Sequence, residues 1–259
     1  MNHGLPIFLV VLLLSGYVWA EDCSKAIELF NQATMAEDME VKERGFKKAI
    51  PLCRDPEVLA RVYNNLADTY ERTGRLSLAL AYYRKALETK PDLATAYFSV
   101  GDIFFRVKDY CSASVIYEKG LRYRSEDEES IKKREEALER ARKYIIIYFD
   151  FDSFRIPFRY LKRLDAVCAA IKKRGIDGLE ETRVIGHACR LGARAYNRRL
   201  SFRRAEAVAA YLKECSSADS PVLTVTGVGE DAPLLAGVDK NARTLNRRVE
   251  IRLKYWRGP

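Results

Sequence analysis

Between Arg183 and Arg204 the chain carries seven arginines, at positions 183, 190, 194, 198, 199, 203 and 204, and no acidic residue. Guanidiniums at that density set up a positive field suited to carboxylates or phosphates. A single arginine can also hold a carboxylate with two parallel hydrogen bonds, which a lysine cannot reproduce. Part of the run is accounted for by a solvated helix face. Within it, His187 and Cys189 stand two residues apart with Arg190 beside the thiol, a pair from which a cysteine nucleophile can be imagined. A working nucleophile also needs a group that orients its base, and no acidic orienter or oxyanion motif accompanies this pair. Cys189 therefore reads as a structural or disulfide-bonded cysteine, and no residue is assigned a catalytic role. The only histidines are His3 and His187, and no two cysteines stand at CxxC spacing. No metal site and no cofactor are expected.

The chain that positions these residues has 259 of them, 48% hydrophobic and 31% charged, with a formal charge of +9. That is enough for two ordinary domains with buried cores. Leu5 to Leu14 is almost continuously apolar, and Val18-Trp19-Ala20 supplies small residues at −3 and −1. Residues 1–20 read as a secretory signal peptide cleaved after Ala20. The Leu5–Ala20 stretch falls short of the roughly 20 residues that span a bilayer, and no later segment is apolar enough, so no transmembrane span remains after cleavage. Asp22 before Cys23 argues against lipid attachment. Export sets aside nucleic acid as a partner, and no nucleic-acid module is present. It also permits disulfides, and six cysteines leave fifteen connectivities open. One pairing has a geometric argument: Cys23 opens a predicted helix and Cys53 closes the next, and those ends are neighbours in a helix hairpin.

From residue 21 to 143 the chain reads as helical repeats. Tyr63, Leu66, Ala67, Tyr70, Ala79 and Tyr83 recur 34 residues on as Tyr97, Val100, Gly101, Phe104, Ala113 and Tyr117. This period and these residue types resemble the tetratricopeptide repeat. Gly74 falls at the turn, Ala86 at the close packing and Pro91 at the end of the first copy. The second copy has Gly120 and Ser125 in the last two places. Cys23–Cys53 reads as a degenerate earlier repeat and Ser130–Lys143 as a capping helix. The recurring aromatics are expected in the core. Asn64, Asn65, Asp68 and Arg75 are candidates for a concave face that receives an envelope protein or peptide.

Beyond Lys143 the pattern changes. Tyr144–Phe151 reads as a buried strand and Phe158–Lys173 as a helix with Leu161, Leu164, Val167, Cys168 and Ile171 on one side. Thr182–Ala188 is a strand, Ala193–Lys213 a helix, and Pro221–Thr226 and Arg248–Leu253 are strands. The fold class is thus α plus α/β: helical hairpins, then a βαβαββ sandwich over residues 144–259 with helices on one mixed sheet.

The residues Phe149-Asp150-Phe151-Asp152-Ser153, Gly186-His187, Gly192, Tyr196-Asn197, Leu200-Ser201, Arg204-Ala205 and Asn246-Arg247-Arg248-Val249-Glu250-Ile251 closely resemble the OmpA-like C-terminal domain. The resemblance implies non-covalent binding of the peptidoglycan stem peptide at its diaminopimelate residue. It places the carboxylate-holding arginine at Arg204 and a loop-holding amide at Asn197, with Gly186, His187 and Arg190 around them. The family's aspartate, which meets the ligand's ammonium, would fall at Cys189, with Ala188 in place of the usual threonine. Asp150 or Asp152, approaching from the first strand, are the candidates to replace it. The implied protein is an adaptor in the periplasm, or on the periplasmic face of the outer membrane, of a Gram-negative-type bacterium. The alternative is a protein–protein scaffold whose OmpA-like domain has lost peptidoglycan binding through the substitution at Cys189.

Overall fold

The structure is a computed structural model that describes residues 23–174, 179–216 and 222–255. The expected signal segment 1–20 lies outside these. The chain divides into two compact units, residues 1–99 and 100–259.

The first unit is a stack of antiparallel helices: α1 (23–35), α2 (Met39–Ala49), α3 (Pro56–Arg72) and α4 (Leu76–Thr89). Each start is written locally. Asp38 accepts from the Glu40 and Val41 amides at the head of α2, and Asp55 caps α3 through the Val58 amide with Pro56 in the first turn. Small residues set the helix spacing: a Cβ on Gly45 would come within 2.6 Å of the Ala33 Cβ. Gly74 turns α3 into α4 at φ +74°, a conformation that other residues adopt at a cost. Cys23 and Cys53 are joined by a disulfide between Cα atoms 4.5 Å apart. Arg75 pairs with Glu43 at 2.7 Å and lies over the Tyr70 ring, so it braces neighbouring hairpins. Asn64 and Asn65 are half-buried and Asp68 is exposed.

Helix α5 (Ala94–Arg106) carries the chain into the second unit, where α6 (Tyr110–Leu121) and α7 (Glu128–Ala141) follow. A Cβ on Gly101 would sit 2.7 Å from the Tyr117 ring, which is why the repeat needs glycine there. Of the six recurring aromatics, Tyr70, Tyr83 and Tyr117 are buried. Tyr63, Tyr97 and Phe104 are only half-buried, contrary to the expectation of a wholly internal set. Helix α7 caps α6, with Arg134 reaching Glu118 at 2.7 Å.

The sheet of the second unit has the order β1-β4-β2-β3, from β1 (Tyr144–Tyr148), β2 (Leu179–Gly186), β3 (Val222–Gly227) and β4 (Arg248–Tyr255). The pairs β1–β4 and β4–β2 are antiparallel and β2–β3 is parallel. Helices α8 (Leu161–Arg174) and α9 (Arg194–Ser216) cover one face. There Ile145, Ile147, Val184, Val249, Ile251 and Leu253 form the core with Leu164, Val208 and Leu212. A second disulfide, Cys168–Cys215, ties α8 to α9. Alternate residues of β1 point the other way, and Ile146 and Tyr148 are buried there as well. Helices α6 and α7 pack against β1, and the Tyr148 hydroxyl donates to the Asp109 carboxylate at 3.0 Å. One element lay outside the sequence reading: α10 (Lys240–Asn246), capped by Asp239, immediately before β4.

Candidate functional site

The site lies beyond the ends of β1 and β2, against the first turns of α9. Gly186 ends β2 and brings strand and helix together: a Cβ there would fall 1.8 Å from the Ser201 carbonyl oxygen. Ser201, fully buried, donates to the Arg198 carbonyl and accepts from the Gly229 amide, so α9 also fixes the loop after β3. Asn246 holds the far part of that loop, accepting from the Leu234 and Leu235 amides and donating to the Leu235 carbonyl.

These contacts leave a pocket of about 190 Å³ lined by Asp152, Cys189, Tyr196, Asn197, Arg204 and Arg247, with Phe151, Ala188, Leu191, Gly192 and Leu200 completing its wall. Arg204 is its deepest group and has no exposed surface. Its Nε donates to the Ser153 carbonyl at 2.7 Å, and its two terminal nitrogens to the carbonyls of His187 at 3.1 Å and Asp150 at 3.2 Å. Among the described residues it has no ion-pair partner. Burial, and then the neighbouring Arg247 charge, push its pKa down to about 10. A buried guanidinium satisfied only by dipoles has lost the hydration of its charge without gaining a counter-ion.

Asp152 is the one carboxylate in the lining. Its backbone takes φ +50°, the left-handed turn that aspartate tolerates better than most residues. One carboxylate oxygen accepts from the Tyr196 hydroxyl at 2.5 Å. Asn197 is buried and donates to Glu230 at 2.5 Å, which makes it a brace between α9 and the loop after β3. Cys189 is buried and free.

Four of the residues singled out in the sequence, Asp152, Cys189, Asn197 and Arg204, therefore meet in one pocket. Four others do not line it. Asp150 lends Arg204 its carbonyl, while its side chain pairs with Arg159 at 3.2 Å. Arg190 is exposed, and Gly186 serves the helix contact. The buried His187 ring turns away, with Nδ1 at 3.1 Å from the Ala232 carbonyl and Nε2 at 3.4 Å from Glu250. Burial, then Arg248, lower its pKa to about 4 against the pull of Glu250, so the ring is neutral at pH 7. It stands in a buried polar group with Arg248 and Glu250 rather than beside the Cys189 thiol in the pocket. Tyr196 and Arg247 stand within the OmpA-like motifs, which by themselves assign them no role. What marks them is proximity created by α9 and by the junction of α10 with β4.

Comparison with known proteins bears on the same region. The model of the OmpA family matches residues 148–247, and that of the tetratricopeptide repeat matches 60–93. The peptidoglycan-associated lipoprotein of Pasteurella multocida is 34% identical over 42% of this chain and 70% of its own length. The chain belongs to the OmpA family. Outer membrane protein A of Bordetella avium is 36% identical over 41% of this chain and 53% of that protein. A photosystem I P700 chlorophyll a apoprotein A2 of Gloeobacter violaceus is 33% identical over 42% of this chain, but over only 13% of its own length. Each of these matches covers about two fifths of this chain, and the chain spans about half of the Bordetella protein's length. Among the described residues, no helix is long and apolar enough to cross a membrane.

Proposed function

We propose that this protein is an exported cell-envelope adaptor. Its OmpA-family domain binds the peptidoglycan stem peptide non-covalently, and its helical repeats bind a protein or peptide partner. The observation that carries the reading is Arg204: a buried cation without a counter-ion among the described residues, in a pocket whose one acid is Asp152. Diaminopimelate ends in a carboxylate and an ammonium on one carbon. The carboxylate would take the guanidinium and supply the missing counter-charge. The ammonium would take Asp152, in place of the acid that Cys189 lacks. Tyr196 holds that carboxylate toward the pocket, and Asn197 keeps the wall in place rather than touching ligand. Binding of this kind uses charge pairing in a partly desolvated pocket and needs no cofactor. The names of the Pasteurella and Bordetella relatives support a place in the periplasm or at the periplasmic face of an outer membrane.

Co-sedimentation of the mature protein with isolated diaminopimelate-type sacculi tests the reading. The wild type is expected in the pellet, and Asp152→Asn, which keeps the shape and removes the charge, is expected to need about tenfold more sacculi for the same fraction bound. A wild-type protein that stays in the supernatant would remove the reading.

A further inference from the structure

Four large apolar side chains stand in solvent around the mouth of the Asp152–Arg204 pocket. Phe151 is 63% exposed, Leu191 47%, and Phe154 and Tyr196 42% each. Phe151, Leu191 and Tyr196 line the pocket itself. Phe154 follows Ser153, whose carbonyl Arg204 holds, and its ring centre lies 4.1 Å from the Arg203 guanidinium carbon. Apolar residues scattered singly over a surface need no explanation, whereas several on one rim mark a contact. They are also held in place. The Ser153 carbonyl, between Phe151 and Phe154, is fixed by Arg204, and Asp152 is fixed by Tyr196. Arg199 and Arg203, both exposed, follow Tyr196 at the three- and seven-residue offsets that share a helix face. The rim is therefore aromatic and cationic on a rigid backbone.

We infer that this rim is a sugar subsite, which receives pyranose rings of the glycan strand that carries the stem peptide; the inference rests on the proposed peptide site. A pyranose ring presents axial C–H groups on one face and hydroxyls around its edge. Laying that face on Phe151 and Phe154 removes apolar surface from water while the hydroxyls stay solvated. The guanidiniums of Arg199 and Arg203 donate to edge oxygens and to N-acetyl carbonyls. Because the stem peptide is covalently joined to the sugar, a peptide seated in the pocket delivers the ring to the rim as an intramolecular contact, so a weak surface adds measurably to affinity. A lipid surface fits the rim less well, since it would press hydrocarbon onto the Asp152 carboxylate, which is costly to desolvate unpaired.

The experiment is calorimetry on the mature full chain with two soluble probes. One is the tripeptide L-Ala-D-Glu-meso-diaminopimelate, and the other is the same tripeptide on its N-acetylglucosaminyl-N-acetylmuramyl disaccharide. The wild type is expected to bind the disaccharide peptide about tenfold more tightly than the peptide. The surface variant Phe151→Ala/Phe154→Ala is expected to lose that gain and bind the two probes equally. Equal affinity of the wild type for the two probes overturns the sugar subsite and leaves the peptide site standing. So does a gain that survives in the double variant. Binding of neither probe overturns both. Anionic phosphatidylglycerol vesicles form the last arm: capture that depends on Phe151 and Phe154, without a disaccharide gain, would assign the rim to lipid instead.

Discussion

The Tyr196 hydroxyl donates to the Asp152 carboxylate at 2.5 Å and so joins the first turn of α9 to the loop that leaves β1. This bond aims the pocket's one carboxylate and, among the described residues, leaves its second oxygen without a hydrogen-bond partner to compete for it. Tyr196→Phe is therefore expected to weaken stem-peptide binding about three- to tenfold while shifting thermal stability by less than about 1 kcal/mol, because both groups are on the surface. Calorimetry and a melting curve on the same sample check the pair of outcomes. A variant that melts as wild type and binds as wild type would show that Asp152 needs no aiming.

Arg204 is expected to behave differently, because it holds three backbone carbonyls from inside the fold. Arg204→Ala leaves them unpaired and opens a cavity, at a cost of roughly 3–5 kcal/mol. Urea unfolding of the variant measures this. Loss of binding in Arg204→Ala then reports on fold as much as on ligand contact, and Asp152 is the cleaner probe of the pocket.

Gly186→Ala tests the helix–strand contact on which the pocket depends. Its Cβ would fall 1.8 Å from the Ser201 carbonyl oxygen, a backbone atom that cannot yield without moving α9. The expected loss is about 3 kcal/mol, with peptide binding lost in parallel. A variant of wild-type stability would contradict the close approach.

Acid is expected to weaken the OmpA-family domain in two stages. Burial and Arg248 hold the His187 pKa at about 4, below the roughly 6.5 of an unfolded chain. The unfolded state therefore binds the proton first. Stability is full above about pH 6.5 and falls by roughly 2–3 kcal/mol as the pH drops toward 4. Burial works to raise the pKa of Glu250, but Arg248, the Tyr144 hydroxyl and neighbouring charges outweigh it and hold the pKa at about 2. Its contribution is present above about pH 4.5 and is lost as the pH falls through 2. Urea midpoints between pH 7 and 3 check both stages, and His187→Gln should flatten the first and leave the second.

The Cys168–Cys215 bridge spans 47 residues of sequence, and closing such a loop is expected to contribute about 4 kcal/mol by restricting the unfolded chain. Cys168→Ala/Cys215→Ala should melt lower than wild type, and a reductant should then have no further effect on the melting of the second unit.

Local pattern determined much of this protein before any contact was considered. The 34-residue recurrence of large, small and aromatic residues fixed the helical hairpins, because each hairpin buries only what its own period and its neighbour's supply. Caps at Asp38, Asp55 and Asp109 lie beside the helices they start. The dense apolar run Tyr144–Phe151 and the alternation in Arg248–Leu253 marked strands, and the spaced motif from Gly186 to Ala205 marked the OmpA-like domain. The resemblance also drew Arg204, Asn197 and Cys189 into one region through that motif, and offered Asp150 or Asp152 from the separate segment Phe149–Ser153.

Only the tertiary structure decided which of them share a cavity. Asp150 and Asp152 are two residues apart in one loop, and nothing local says that the first turns to Arg159 while the second turns to Tyr196. His187 and Cys189 are equally close in sequence, but the ring enters a buried polar group with Glu250 and the thiol lines the pocket. Six cysteines left the bridge between α8 and α9 open until those helices were laid side by side. Tyr63, Tyr97 and Phe104 occupy repeat positions yet remain half in solvent, because burial depends on what the next element covers. In each case the deciding term is a contact between residues far apart in the chain, and a one-dimensional period carries no information about which distant group will arrive.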